Sequence, residues 1–534
     1  MSKPTVVALS LIMLLGFGAR TAYLLHATSQ PRYQWDDPDH YELKGRLLAR
    51  DGAGWRWTFD AVRHSSYDQR FYVLPPAYPV FLSLFALFPG YPFTAQVGQV
   101  FLSTLTIALL FVLGRQLHSP RAGLIAAAIY ACWVPNIIAV WSTMQESLYI
   151  PLVVLAFAVL VRASAPNGQR HARQRSGGFA LAGLVFGVAT LTRSIPMYAL
   201  PVLAAVSWYR HRKASLRCIA ALFAGFFLVT LPYSAALTQH LGRPTFVENH
   251  GSIFIVERYG LEGDDPASLT DTATLLVSGF AAAPVATLGE WWDTTRSMLH
   301  VNGGRLLQIY LGAETKLGAA FAKWITHLFG DATFIVSLVV APIGAALARD
   351  RTAAMFLVMW IVVNVGLVAL SGFGGARLRA GFEPHLVALA AVVLARDFDE
   401  VNKKLVVAAG LVSIVLGAIV APQLSLSLSA RADYGVHWPM KAPPKRSAMT
   451  GSAGFNVLPA AGTLRFHVRP RNRLATNVTV RLNGRAVETV RIAEREHRFE
   501  VPWTHGGLVH VELTASDAAT GEPVRVLVIV PKPA

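Results

Sequence analysis

The sequence predicts a mainly α-helical, polytopic membrane domain followed by a small β-rich domain, and three observations carry that prediction. Hydrophobic residues make up 53% of the 534-residue chain and charged residues only 15%, against roughly 25% charged in ordinary globular domains. With a mean hydropathy of +0.43, much of the surface has to face something other than water. The basic residues gather in short clusters between apolar runs, the pattern of a chain threaded repeatedly through a bilayer. After Pro422 the long apolar runs stop, and residues 430–534 alternate apolar and polar residues instead.

The same composition excludes disorder, collagen-like repeats and a disulfide scaffold, because the chain is apolar, aperiodic and holds two cysteines, Cys132 and Cys218. Both lie in apolar runs and read as small core residues. The formal charge of +17 is read as loop topology and contact with membrane lipids, with no nucleic-acid partner.

Pro4 to Leu25 follows Lys3, is longer than a secretory signal core, and reads as a retained signal-anchor span. Basic clusters at Arg115/Arg121, Arg162 to Arg175, Arg210 to Arg217, Arg349/Arg351 and Arg396 to Lys404 are assigned to the cytoplasm. The spans then fall near residues 4–25, 96–114, 122–141, 147–161, 177–192, 195–209, 218–237, 332–348, 353–370, 384–396 and 405–421. Eleven is an odd number, so the C-terminus lies outside. Several of these runs are shorter than the ~20 residues a straight span wants. Residues 26–95 and 238–331 remain as long external segments where chemistry outside the membrane would be built.

In the first external segment, Asp37, Pro38 and Gly52 suit the N-cap, first position and stop of a helix. Tyr41, Leu47 and Leu48 among Lys44, Arg46 and Arg50 make it amphipathic and interfacial. The adjacent acids Asp36 and Asp37 repel at a membrane mouth, which raises one pKa and prepares a base for an acceptor hydroxyl or amine. Residues 71–90 read as a second interfacial or re-entrant helix. In the tail, Asn483-Gly484 between two alternating stretches signals a hairpin, and 15 Lys/Arg against 8 Asp/Glu leave a basic surplus. This tail is expected to be a periplasmic β-sandwich, so the domain boundaries are 1–425 and 430–534.

Departure of a phosphate leaving group develops negative charge that a guanidinium stabilises. Arg193, at an outer turn between short spans, and Arg377 and Arg379, in a Gly-rich loop, have that chemistry. Glu146 and Glu383 are acids at the membrane edge, with Glu383 also placed to pair with Arg377 or Arg379. No phosphate-binding loop, Rossmann fingerprint or nucleophile elbow is present. His64, Asp68 and His300 show no metal-ligand spacing.

The order of these features resembles the GT-C glycosyltransferases, in particular the bacterial branch similar to protein mannosyltransferases and lipid A aminoarabinose transferases. The features are the acid-plus-tyrosine helix, Pro75-Pro76-Ala77-Tyr78-Pro79, Glu146, Gly-x-x-x-Gly-x-x-x-Leu-Thr-Arg from Gly183 to Arg193, and Gly374 to Pro384. The resemblance covers roughly residues 1–425. It implies a bacterial inner-membrane enzyme with a periplasm-facing site. A sugar would pass, with inversion, from a polyprenyl-phosphate donor to a glycan, lipid or protein acceptor.

By that resemblance Asp37, four residues before Tyr41, is catalytic, Asp36 is its reserve, and Glu146 is a second acid orienting the acceptor. Arg193, Arg377 and Arg379 hold the donor phosphate, and Tyr41, Tyr78, Asn249, His250 and Glu383 surround the substrates. Relatives carry a basic residue just before the Pro-Pro pair, where this chain has Val73 and Leu74, and Arg70 is near enough to substitute. Asp36, Asp37 and Glu146 would hold a divalent ion if the fold brings them together. The competing class, a transporter or flippase of a lipid-linked or anionic substrate, is expected to show internal repeats and paired broken helices, and the sequence shows neither.

Overall fold

The computed structural model describes residues 2–28, 41–50, 75–165, 172–211, 215–242, 244–247, parts of 274–281, 284–299, 327–371, 376–396, 403–429 and eight strands in the tail. It divides into two compact units, Met1–Leu428 and Ser429–Ala534. The first unit begins with α1 (Lys3–Thr28), α2 (Tyr41–Arg50), α3 (Ala77–Ala86), α4 (Phe93–Leu117), α5 (Pro120–Ala131) and the short α6 (Val134–Ile138). It continues with α7 (Glu146–Ser164), α8 (Ala172–Thr190), α9 (Ile195–His211), α10 (Ser215–Leu241) and α11 (Pro284–Met298). The last helices are α12 (Thr333–Leu347), α13 (Arg351–Ser371), α14 (Glu383–Ala395) and α15 (Lys403–Ser429), with a 3-10 turn over Ala376–Gly381.

Among the described residues, six helices are long and apolar enough to cross a membrane. Their lipid-side character is visible in α1, where Val7, Leu11, Leu14 and Leu15 are exposed. Five shorter apolar helices accompany them. The shortness of α14 has a physical reason: every side chain from Glu383 to Val392 is buried, so this helix is walled by protein rather than lipid and its length is not set by bilayer thickness.

One expected span is corrected. Residues 122–141 do not form a single helix; α5 stops at Ala131, and α6 restarts at Val134. Proline lacks an N–H and its ring clashes with the carbonyl four residues back. For Pro135 that carbonyl belongs to Ala131, the last residue of α5. The freed carbonyl of Ala131 accepts from Arg20 Nη1 of α1 at 3.1 Å, and the carbonyl of Tyr130, which also accepts from Trp133 N, accepts from Arg20 Nη2 at 3.3 Å. Arg20 is 0% exposed, and its other bonds go to Gly16 O and Ser103 Oγ. The turn residue Cys132 is exposed, which overturns its reading as a core residue, while Cys218 is buried.

The glycines before Arg193 are packing devices. A Cβ at Gly183 would lie 1.9 Å from Leu222 O, and one at Gly225 would lie 2.0 Å from Ala180 O. Only the absence of side chains lets α8 and α10 approach so closely, as small residues do between membrane helices.

In the second unit, β1 (Ser447–Thr450), β3 (Gly462–Pro470), β6 (His497–Trp503) and β8 (Arg525–Ile529) form one sheet in the order β1-β8-β3-β6. The other sheet, in the order β2-β7-β4-β5, joins β2 (Ser452–Val457), β4 (Thr476–Leu482), β5 (Arg485–Ile492) and β7 (Val509–Asp517). Every pairing within the sheets is antiparallel. Leu482 pairs with Arg485, leaving the two residues 483–484 as the β4–β5 connection.

Candidate active site

The irregular segment between α6 and α7 is the scaffold on which the site is built. Its carbonyls are held from α4, one turn apart: Gln96 Nε2 donates to Trp141 O at 2.7 Å, and Gln99 Nε2 donates to Val140 O at 2.9 Å and Ser142 O at 3.3 Å. Buried backbone outside regular structure has to find such partners, because an unpaired carbonyl away from water is costly. Gln96 and Gln99 are both buried.

Helix α2 docks on the same segment, and α3 docks on Gln99, which holds that segment. Tyr41 Oη donates to Gln145 Oε1 at 3.1 Å, and Thr143 Oγ1 donates to Glu42 Oε1 at 2.6 Å. Tyr78 Oη donates to Gln99 Oε1 at 2.6 Å. The rings of Tyr41 and Tyr78 meet edge to face with centroids 4.9 Å apart, and Lys44 Nζ stands 5.4 Å from the Tyr41 centroid. Both tyrosines are fully buried, so they are part of the framework that holds these elements together.

From α3 the connection runs on to the turn between α8 and α9, where Ala77 N donates to Leu191 O at 2.8 Å. Two residues later Arg193 leaves that turn, and its Nη1 donates to Glu146 Oε1 at 3.1 Å. The pair is nearly buried, with 12% of the arginine side chain and 6% of the glutamate side chain exposed. Glu146 opens α7, where a carboxylate suits the positive end of the helix dipole. The structure thus brings Tyr41, Tyr78, Glu146 and Arg193 into one connected network.

Arg379 and Glu383 form a second cluster. Arg379 Nε donates to Glu383 Oε1 at 2.5 Å, Arg379 Nη1 reaches Met298 O at 3.4 Å, and the guanidinium carbon lies 3.8 Å from the Phe334 ring centroid. Trp133 Nε1 donates to the other carboxylate oxygen of Glu383 at 3.2 Å. Arg379 is 1% exposed and Glu383 3%. The backbone of Arg377 lies in the same 3-10 turn.

Asp36, Asp37, Arg70, Asn249 and His250 lie outside the described residues. Among the described residues no group of three His, Cys, Asp or Glu side chains gathers to hold a metal. Glu146 already gives one oxygen to Arg193, so a fit to a divalent ion rests on Asp36 and Asp37. Sequence reasoning missed Gln96, Gln99, Trp133 and Arg20. A signal existed for three of them, because a glutamine pair at i, i+3 and an arginine inside apolar runs are costly unless partnered.

A family model matches the part of the chain that holds much of this site. Residues 74–235 match the model of the dolichyl-phosphate-mannose-protein mannosyltransferase family. An undecaprenyl phosphate-alpha-4-amino-4-deoxy-L-arabinose arabinosyl transferase from Edwardsiella ictaluri is 29% identical over 161 residues, covering 29% of this chain and 28% of that relative. The match therefore spans less than a third of that relative's length. Among solved structures, ArnT from Cupriavidus metallidurans bound to undecaprenyl phosphate aligns at TM-score 0.44 and 14% identity, covering 78% of this chain and 64% of that one. The oligosaccharyltransferase AglB from Archaeoglobus fulgidus aligns at TM-score 0.45 and 16% identity, covering 80% and 55%. The stretch that holds Tyr78, Glu146 and Arg193 is thus the one that matches the mannosyltransferase family model, in agreement with the GT-C resemblance carried by the order of the motifs.

Proposed function

We propose that the chain is a polytopic membrane glycosyltransferase of the GT-C type, passing a sugar with inversion from a polyprenyl-phosphate donor to a glycan, lipid or protein acceptor outside the cytoplasm. The observation that supports this most is the fastening of α2 to the segment that leads into Glu146 and of α3 to the Arg193 turn, with α3, Glu146 and Arg193 all inside the stretch that matches the family model. An acid and a guanidinium are held together there beside two interfacial helices, which suits a donor whose phosphate rests at the membrane edge.

In this reading Asp37 takes the proton from the acceptor hydroxyl or amine, and the freed electron pair forms the bond to the anomeric carbon. The bond from that carbon to the phosphate oxygen breaks, and its electron pair leaves on polyprenyl phosphate. Arg193 and Arg377 stabilise that charge, with Arg70 supplying the contact that relatives make before the Pro-Pro pair. Arg379 holds the turn that carries Arg377. Glu146 orients the acceptor and Arg193, Asp36 is the alternative base, and Asn249 and His250 flank the donor. The acids Asp36, Asp37 and Glu146 are those available to a divalent ion, and no step is assigned to one.

The membrane unit sits in the bacterial inner membrane with the N-terminus and the five basic clusters inside. The tail is a periplasmic β-sandwich that assists acceptor binding. The test is an assay of the purified full-length protein with a polyprenyl-phosphate sugar and candidate acceptors. Glycosylated acceptor and free polyprenyl phosphate should appear in equal amounts. Movement of the intact lipid-linked sugar across proteoliposomes without cleavage would instead establish the transporter reading.

A further inference from the structure

Tyr149 lies one turn after Glu146 on α7 and is 0% exposed. Its hydroxyl makes no hydrogen bond, and a buried unbonded hydroxyl is a liability that folded proteins rarely keep without use. The surroundings are specific. Arg193 holds its guanidinium carbon 5.8 Å from the Tyr149 ring centroid, and the hydroxyl is within electrostatic reach of both Arg193 and Glu146. On the other side stands Gly381, the end of the 3-10 turn that carries Arg377. A Cβ there would come 2.8 Å from Tyr149 Cε1 and 3.3 Å from the hydroxyl oxygen. The glycine therefore leaves room for this one side chain between the two arginine-bearing turns.

Arg193 is open in the same way. Among the described residues the one hydrogen bond of its guanidinium runs from Nη1 to Glu146, so four of the five guanidinium N–H groups carry no partner there. Open guanidinium donors beside an unbonded hydroxyl match an anionic oxygen bearing several lone pairs, which is the chemistry of a phosphoryl group. A neutral sugar hydroxyl would leave most of those donors unmet.

We infer that Tyr149 is a ligand-binding residue whose hydroxyl donates to a phosphoryl oxygen held by Arg193. The inference rests on the donor reading above and adds to it a residue that neither the motifs nor the family resemblance marks. The phosphoryl group approaches from the side of Arg193, the more exposed of the two.

The test uses the full-length protein in detergent or nanodiscs, titrated with a polyprenyl monophosphate, the matching polyprenol and inorganic phosphate, alongside Tyr149→Phe. This substitution removes one oxygen and keeps the ring. Binding of the polyprenyl monophosphate should weaken about tenfold, as expected for one hydrogen bond to a charged group. Polyprenol binding should not change, and the ligand-free thermal midpoint should hold or rise, because the deleted hydroxyl was unbonded. A loss confined to the lipid form supports a donor headgroup, and an equal loss for inorganic phosphate supports a phosphoryl site independent of the lipid. Wild-type affinity of Tyr149→Phe for the monophosphate overturns the inference. So does a lowered midpoint with equal loss for every titrant, which is the signature of a structural role. A wild-type protein with no preference for monophosphate over polyprenol overturns the donor reading itself, a separate result.

Discussion

Trp133 donates its indole N–H to Glu383, 250 positions away, at 3.2 Å. The bond ties the break between α5 and α6 to the first residue of the buried helix α14, and Glu383 in turn holds Arg379. Breaking a buried pair by removing one charge costs about 3–5 kcal/mol, whereas replacing both by apolar residues is often neutral. Glu383→Gln is therefore expected to lower thermal stability strongly. Trp133→Phe should cost less, and Arg379→Met combined with Glu383→Leu should recover most of the loss. A denaturation series in one detergent checks the order.

The contact between α8 and α10 gives a second prediction. Gly225→Ala places a methyl 2.0 Å from Ala180 O, so the helices must separate; overpacking of this kind costs about 1–3 kcal/mol. Gly177 has nothing within 4 Å of its added Cβ, and Gly177→Ala should be neutral or stabilising by up to about 1 kcal/mol through helix propensity. Thermal midpoints of the two purified variants, measured side by side, decide it.

For the chemistry, Asp37→Asn is expected to lower kcat by about 10² or more, the usual contribution of a general base, with folded yield unchanged. Asparagine caps helices as well as aspartate does, so a residue with only a capping role would leave the rate nearly intact. Near wild-type transfer by Asp37→Asn would move the base to Asp36.

Removing the tail tests its assigned role. A chain ending at Ser429, the last residue of α15, should still transfer sugar to a small soluble acceptor while using the native acceptor poorly. Loss of transfer to every acceptor, from a truncated protein that purifies as a single species, would show that the tail completes the active site.

The orientation is checked by cysteine labelling in intact cells. Cysteines placed at Ser65 and Ser516 should react with an impermeant reagent, and one at Ser176 should not; reaction at Ser176 would reverse the topology.

What the sequence made legible follows from the range of the forces involved. Apolar run length and charge asymmetry act locally, so α1, α4, α7, α10 and α13 were visible from composition, as was the alternation of the tail strands. The pairing of Arg193 with Glu146 depends on two turns 47 positions apart, and no local pattern records it. The glycines ahead of Arg193 carried a motif whose physical content, contact with α10, is seen only once Leu222 and Val229 are set against them. The break at Pro135 was legible in principle, since a proline inside an apparent span removes a hydrogen bond that something else must supply.

That supplier, Arg20, imposes an order on biogenesis. The first helix leaves the translocon carrying a guanidinium that costs about 2.5–3.5 kcal/mol at the centre of an isolated span. Of its four acceptors, Ser103 belongs to α4 and Tyr130 and Ala131 to α5, and neither helix has been synthesised when α1 enters the bilayer. Helix α1 is thus only provisionally seated until α4 and α5 arrive, and a ribosome arrested with both helices still inside it should leave a chain that carbonate extracts far more readily than one arrested after both have emerged.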